Sequence, residues 1–277
     1  MEKPPEVLKH LGPYCTDTPL SACCALTEHV WLTYHNVVGA YEHAGQASRE
    51  FLIVRMLYIA EITSTAVRLN ASWALTHAAM SLLRDRYEQT IRFSWLVRNP
   101  DQSEFAKYER AIYAKMNSIV RNMDPATRER HVETVGPLPA WATERLTKED
   151  RAVLDAWGAL DLRSMAKKRD ALPPIADTIL AKEGLAHSYE AIYSQFSSVA
   201  HYDRFSIELL GLQKTSDGKV MLATQSHWPT VLLVQNALFD IIQCFEAAQI
   251  CHRKDAAQIF EAMLAQWIAI SKEIVPR

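Results

Sequence analysis

The segment from Ser72 to Arg98 constrains the fold more than any other part of the chain. Apolar residues recur along it at three- and four-residue spacing, and it stops at Asn99-Pro100. The proline lacks a backbone donor and pushes the preceding residue out of helical geometry. At about 100° per residue, Trp73, His77, Met80, Arg84, Ile91 and Trp95 share one face, with Glu88 at its edge. Leu75, Leu82, Phe93 and Leu96 fall on the opposite face, and Arg86 falls off the main stripe. A helix that is apolar on two sides needs neighbours on two sides, so this one belongs at the centre of a bundle.

The rest of the chain supplies those neighbours. Helical periodicity runs through Ser21 to Ala44, Ser48 to Leu69, Asp101 to Asn122, Ala186 to His201, Pro229 to His252 and Asp255 to Glu273. Asp124-Pro125 opens a further short helix, with proline at a first-turn position where its missing donor costs nothing. From 135 to 174 the pattern loosens around Gly136-Pro137-Leu138-Pro139 and Pro173-Pro174, with short helices at Lys148 to Ala159 and Leu162 to Lys168. This reads as a surface excursion. Alternating residues on either side of Asp217-Gly218 predict one small β-hairpin within 205–224. Only 8 Gly and 12 Pro in 277 residues, with 49% hydrophobic residues, fit an all-α single-domain bundle spanning 1–277. No internal repeat or glycine-rich linker divides it.

Charge narrows the function classes. Lys and Arg number 30 against 32 Asp and Glu, so the long-range positive field of a nucleic-acid or anionic-membrane binder is absent. A local basic patch remains open at Lys167-Lys168-Arg169, and Arg84, Arg86, Arg92 and Arg98 crowd one helix, with acidic neighbours diluting both. Nucleic acid is therefore a minor alternative. The stretch Val220 to Phe239 is free of charge, but Gln225, His227, Pro229, Gln235 and Asn236 make it a poor membrane span. The first residues carry no basic-then-apolar leader, and five cysteines with no C-x-x-C pair read as buried thiols in a reducing compartment. A cytoplasmic location is expected, without a membrane.

Two helices carry the candidate chemistry. Arg84 and Glu88 stand at i,i+4 and can pair, and His77 lies on the same face. The helix from Ala186 to His201 lines up His187, Glu190, Ser194, Ser197, Ser198 and His201, a small polar face with a histidine at each end. One reading is a buried polar network and a closely packed helix contact. The other is a pocket between the two helices that takes a small anionic ligand. An enzymatic version, hydrolase- or transferase-like, makes His201 the general acid or base, oriented by Glu190 or Glu88, with Arg84 holding negative charge. His77, Arg86, Tyr193, Ser194 and Ser197 would then bind substrate.

Metal and cofactor chemistry find no motif. Cys24, Glu28, His35 and Glu42 form a stripe, but residues seven apart lie roughly 10 Å apart along a helix and cannot share one ion. Neither Glu-x-x-His nor His-Glu-x-x-His occurs, and no glycine-rich phosphate loop follows a strand, so no metal site or cofactor is expected.

A resemblance joins the same two helices. Arg86-Tyr87-Glu88, Trp95-Leu96, Asn99-Pro100 and the later run Tyr193-Ser194-Gln195-Phe196-Ser197-Ser198-Val199-Ala200-His201 before an Asp-Gly hairpin resemble an uncharacterised, mostly bacterial helical family, domain of unknown function 5677. The resemblance spans roughly Met56 to Ile250. It implies an all-helical fold, brings no activity, and places Arg86, Glu88, Tyr193, Ser197 and His201 among the residues of interest. The helical HEPN ribonucleases carry an arginine followed after four to six residues by histidine, a spacing absent here, which disfavours that mechanism. The leading expectation is a cytoplasmic binding or effector protein, defence- or toxin-related by analogy. Its partner would be a small anion, another protein or a second copy, the last through the long terminal helices.

Overall fold

The computed structural model describes residues 18–38, 49–73, 75–99, 101, 103–137, 145–158, 161–174, 184–189, 193, 212–214, 216–222, 228–251 and 254–274. Helices dominate: α1 (Thr18–Thr33), running into a π-helical turn at Tyr34–Val38, α2 (Arg49–Ser72), α3 (Thr76–Arg98), α4 (Ser103–Asn122), α5 (Pro125–Val135), α6 (Lys148–Gly158), α7 (Leu162–Asp170), α8 (Trp228–Ile250) and α9 (Lys254–Ile274). A helical turn at Ala186–Ser188 follows α7. Two three-residue strands, β1 (Leu212–Lys214) and β2 (Val220–Leu222), pair antiparallel with Gln213 opposite Met221. Gly218 between them has φ +80°, a region that disfavours side chains. The remainder of 205–224 lies outside the described residues.

The sequence shows no linker, yet the chain divides into two compact units, 1–98 with 166–277, and 99–165. In the first, α8 is the axial helix. It packs against α1, α2, α3 and α9, and eighteen of its residues are buried, from Pro229 to Ala248. By length and composition α8 could cross a membrane, and 89% of that window is buried inside the structure. This burial also removes α8 from the surface that the sequence reserves for a second copy. The second unit pairs α4 with α6, where Arg110 donates to Asp150. Thr147 and Asp150 cap α6 reciprocally, the carboxylate accepting from Thr147 N and the hydroxyl from Asp150 N. Asp124 caps α5 through Thr127 N at 2.9 Å, with Pro125 in the first turn. The excursion at 135–174 thus contains two of these helices, α6 and α7.

The helical wheel for α3 needs correction. Met80 and Ile91 are buried, but His77, Arg84 and Trp95 are only half-buried, and Arg86, expected off the stripe, is completely enclosed. The deepest line of α3 runs through Leu83, Arg86, Tyr87, Thr90, Ser94 and Arg98. Hydrophobicity alone points the wheel at the two tryptophans. It misses this line because its polar members are satisfied by polar groups on α8 and elsewhere.

Candidate functional site

Two polar assemblies surround α3, one sealed and one open. The sealed one begins with Arg86, whose Nη2 donates to Asp240 Oδ1 at 2.7 Å. Both side chains are fully buried. Asp240 Oδ2 accepts from Ser64 Oγ at 2.6 Å, and Asn236 Nδ2 donates to the same hydroxyl at 2.8 Å. Burial pushes the Asp240 carboxyl up to about 6, against the pull of Arg86 and Ser64. The same burial lowers the Arg86 guanidinium, with Asp240 opposing.

Further along α3 and α8, Glu246 Oε1 accepts three donors. They are Ser94 Oγ at 2.7 Å, Arg98 Nε at 2.7 Å and Arg169 Nη2 at 3.0 Å. Arg169 also donates from Nε to Ser94 at 2.7 Å and from Nη1 to Asp170 at 2.8 Å. Asp170 in turn accepts from the backbone N–H groups of Leu185 and Ala186, at 3.0 and 2.7 Å, which fixes the start of the Ala186 turn. Burial lowers the Arg98 guanidinium, with Glu246 opposing. The basic run is thereby corrected: Lys167 and Lys168 are exposed, whereas Arg169 is a fully buried structural cation.

The open assembly sits on the neighbouring flank of α3. Arg84 Nη2 lies 3.4 Å from Glu88 Oε1 and 3.3 Å from the Tyr193 hydroxyl, and its guanidinium carbon stands 5.2 Å from the centre of the Tyr193 ring. Tyr193 stacks on Tyr189 at 4.9 Å and 20°. Tyr87 lies beside both and donates its hydroxyl to the Leu185 carbonyl at 2.6 Å. Arg84 and Glu88 side chains are each 25% exposed, so water reaches them. Burial pulls the Arg84 pKa down, but the Tyr193 hydroxyl and the Glu88 and Asp85 carboxylates outweigh it, and the group ends above its ordinary value. Arg84 Nε is buried and has no acceptor among the described residues. Burial and the Glu88 charge raise the Asp85 carboxyl.

Of the residues singled out by sequence, Arg84, Glu88 and Tyr193 meet here. His77 is half-buried two turns earlier on α3, and His187 is exposed. Arg86 is spent on Asp240, which corrects its assignment to substrate binding: no solute reaches a fully enclosed guanidinium. Glu190, Ser194, Ser197 and His201 lie outside the described residues. Sequence reasoning passed over Asp240, Glu246, Ser64 and Asn236. Their signal is plain afterwards, since two carboxylates inside the most apolar helix require buried cations.

The described members of the cysteine and histidine stripe are engaged in separate pairs. His35 Nε2 pairs with Glu61 at 2.9 Å, Glu28 with Arg68 at 3.7 Å, and Cys24 Sγ lies 3.5 Å from Ser72 Oγ. Glu42 lies outside the described residues. Among those residues, no three His, Cys, Asp or Glu side chains cluster at ligand distance. Compared with family models, with curated proteins and with solved structures, the chain matches none.

Proposed function

We propose that the protein is a cytoplasmic helical binding protein whose site, between α3 and the segment beginning at Ala186, takes a small anionic ligand. The observation that carries this reading is Arg84. Its guanidinium is charged, partly open to solvent and held over the Tyr193 ring, which stacks on Tyr189. Its nearest carboxylate contact is long, at 3.4 Å, and one N–H has no acceptor among the described residues. A carboxylate or phosphate entering there would gain charge-assisted hydrogen bonds that Glu88 does not fully supply. The Tyr193 ring, covered by the guanidinium and stacked on Tyr189, holds Arg84 in place for such an anion. Kinship with the helical family of unknown function and a hairpin over the whole of 205–224 belong to the same reading, and rest on the quoted motifs and the Asp217-Gly218 turn.

Native mass spectrometry of the purified protein, with denaturing analysis of what it releases, tests this together with titration by benzoate and by inorganic phosphate. Saturable binding by the wild type, weakened about tenfold or more in Arg84→Gln at an unchanged melting temperature, is the expected result. A clean unliganded mass with no saturable binding of either probe would sink the proposal.

A further inference from the structure

The inner face of α2 is ordinary: Ile53, Leu57, Ala60, Ser64, Val67 and Ala71 are buried. Its outer face is not. Tyr58, Ile59, Ile62 and Leu69 stand 62, 56, 54 and 53% exposed, on the side where a surface helix normally carries its charges. Leu32 on α1, 56% exposed, adds to them. Trp31–Ser64, His35–Glu61 and Glu28–Arg68 contacts lay α1 along α2, which brings Leu32 to the edge of the same face between two ion pairs.

We infer that this face of α2 is a dimer seam, on which α2 of a second copy of the chain packs antiparallel. The spacing carries the first step. Tyr58, Ile62, Thr65 and Leu69 follow intervals of four, three and four, the repeat of a coiled-coil seam. An antiparallel arrangement about a twofold axis level with Thr63 and Ser64 sets Tyr58 against Leu69 of the other copy and Ile62 against Thr65. The flanks carry the second step. One flank is Ile59 and Ala66, the other Glu61 and Arg68. Antiparallel helices bring like flanks together, so Glu61 of each copy meets Arg68 of the other, and Ile59 meets the small side chain of Ala66. A parallel pair would set both charges against the apolar flank. The surface is thus complementary to itself in one orientation only, and a twofold contact of this kind closes on itself as a dimer.

Area carries the third step. Five apolar side chains, each exposing roughly 100 Å², remove on the order of 1,000 Å² from water across two copies. With the flanking residues the contact reaches the lower end of stable protein interfaces, and the roughly 500 Å² on each copy is of the size that often marks an interaction site. The surface does not depend on the anion site, because none of its residues belongs to the Arg84 cluster.

Sedimentation velocity on the full chain from about 1 to 100 µM tests the inference. Expected is a monomer–dimer equilibrium with a dissociation constant in the micromolar range. Ile62→Glu should be monomeric throughout, with its melting temperature at the lowest concentration unchanged because the residue is half exposed. Glu61→Arg should weaken the dimer about tenfold or more by facing Arg68, and Glu61→Arg with Arg68→Glu should restore it. The intrachain pairs lost in these swaps, His35–Glu61 and Glu28–Arg68, each have one partner at the surface and contribute little to the fold. A wild type that stays monomeric at 100 µM would overturn the inference and assign the face to some other occupant. So would a dimer indifferent to Ile62→Glu, or a double swap that fails to recover.

Discussion

Arg86 and Asp240 show what a single buried pair demands of its surroundings. Removing one partner strands the other charge out of water, so Asp240→Ala should cost about 3–5 kcal/mol in urea denaturation. Replacing both, Arg86→Met with Asp240→Leu, should recover most of that loss, because Asn236 still donates to Ser64. The pair also marks the pH profile. Asp240 titrates near 6 in the fold against 3.8 as its ordinary value, so the folded state holds this proton more tightly than the unfolded chain. Its contribution is fully present below about pH 4 and is lost as pH rises through about 6, on the order of 3 kcal/mol. Equilibrium unfolding at pH 4.5 and 7 should show that slope in the wild type, and the double variant should lack it. Little of this was legible in the sequence. Arg86 reads as one more helix arginine, and Asp240 lies 154 residues away from it, so periodicity on either helix alone cannot join them.

Helices are where the sequence speaks most clearly, because each is set by nearby residues. Asn99-Pro100 ends α3 at Arg98 as expected, and Asp124-Pro125 opens α5 with its cap in place. The start of α3 differs by four residues. Helix α2 continues to Ser72, and Leu75, whose N–H bonds the Asn70 carbonyl at 2.8 Å, carries the chain into α3. No glycine or proline marks that corner, so its position is invisible to composition. Asp170 is a comparable long-reach device, tying the end of α7 to the chain at Leu185 and Ala186. Asp170→Ala should cost about 1–3 kcal/mol by leaving those two N–H groups without their acceptor. It should also flatten the near-ultraviolet tyrosine dichroism of the Tyr189–Tyr193 stack while the far-ultraviolet spectrum holds. A preserved tyrosine signal would show that the stack forms without this anchor. For the candidate site, the i,i+4 relation of Arg84 and Glu88 was legible, and the resemblance drew attention to Tyr193. That Arg84 lies over its ring was not, because it depends on how two distant segments pack.

At the scale of the molecule, folding and association share one equilibrium if α2 seats a second copy. The melting temperature of the wild type should then rise with protein concentration, whereas that of Ile62→Glu should stay constant. Differential scanning fluorimetry across a hundredfold dilution would measure it, and parallel behaviour of the two proteins would count against the seam. Sequence reading favours one domain because no flexible linker interrupts the chain, whereas contacts gather 99–165 into a unit of its own. The difference has a structural cause at Glu246. Arg98 is the last residue of the first unit before the chain departs, and Arg169 lies just after its return. Both hold the same carboxylate oxygen, so exit and entry are fastened side by side inside the host. A host locked in this way bears the cost of closing the intervening chain whatever its length, and that cost grows only slowly with length. A change in the length of 99–165 therefore adds little closure cost, because Ser94, Arg98 and Arg169 on one carboxylate oxygen already hold the two chain ends of the host at a fixed separation.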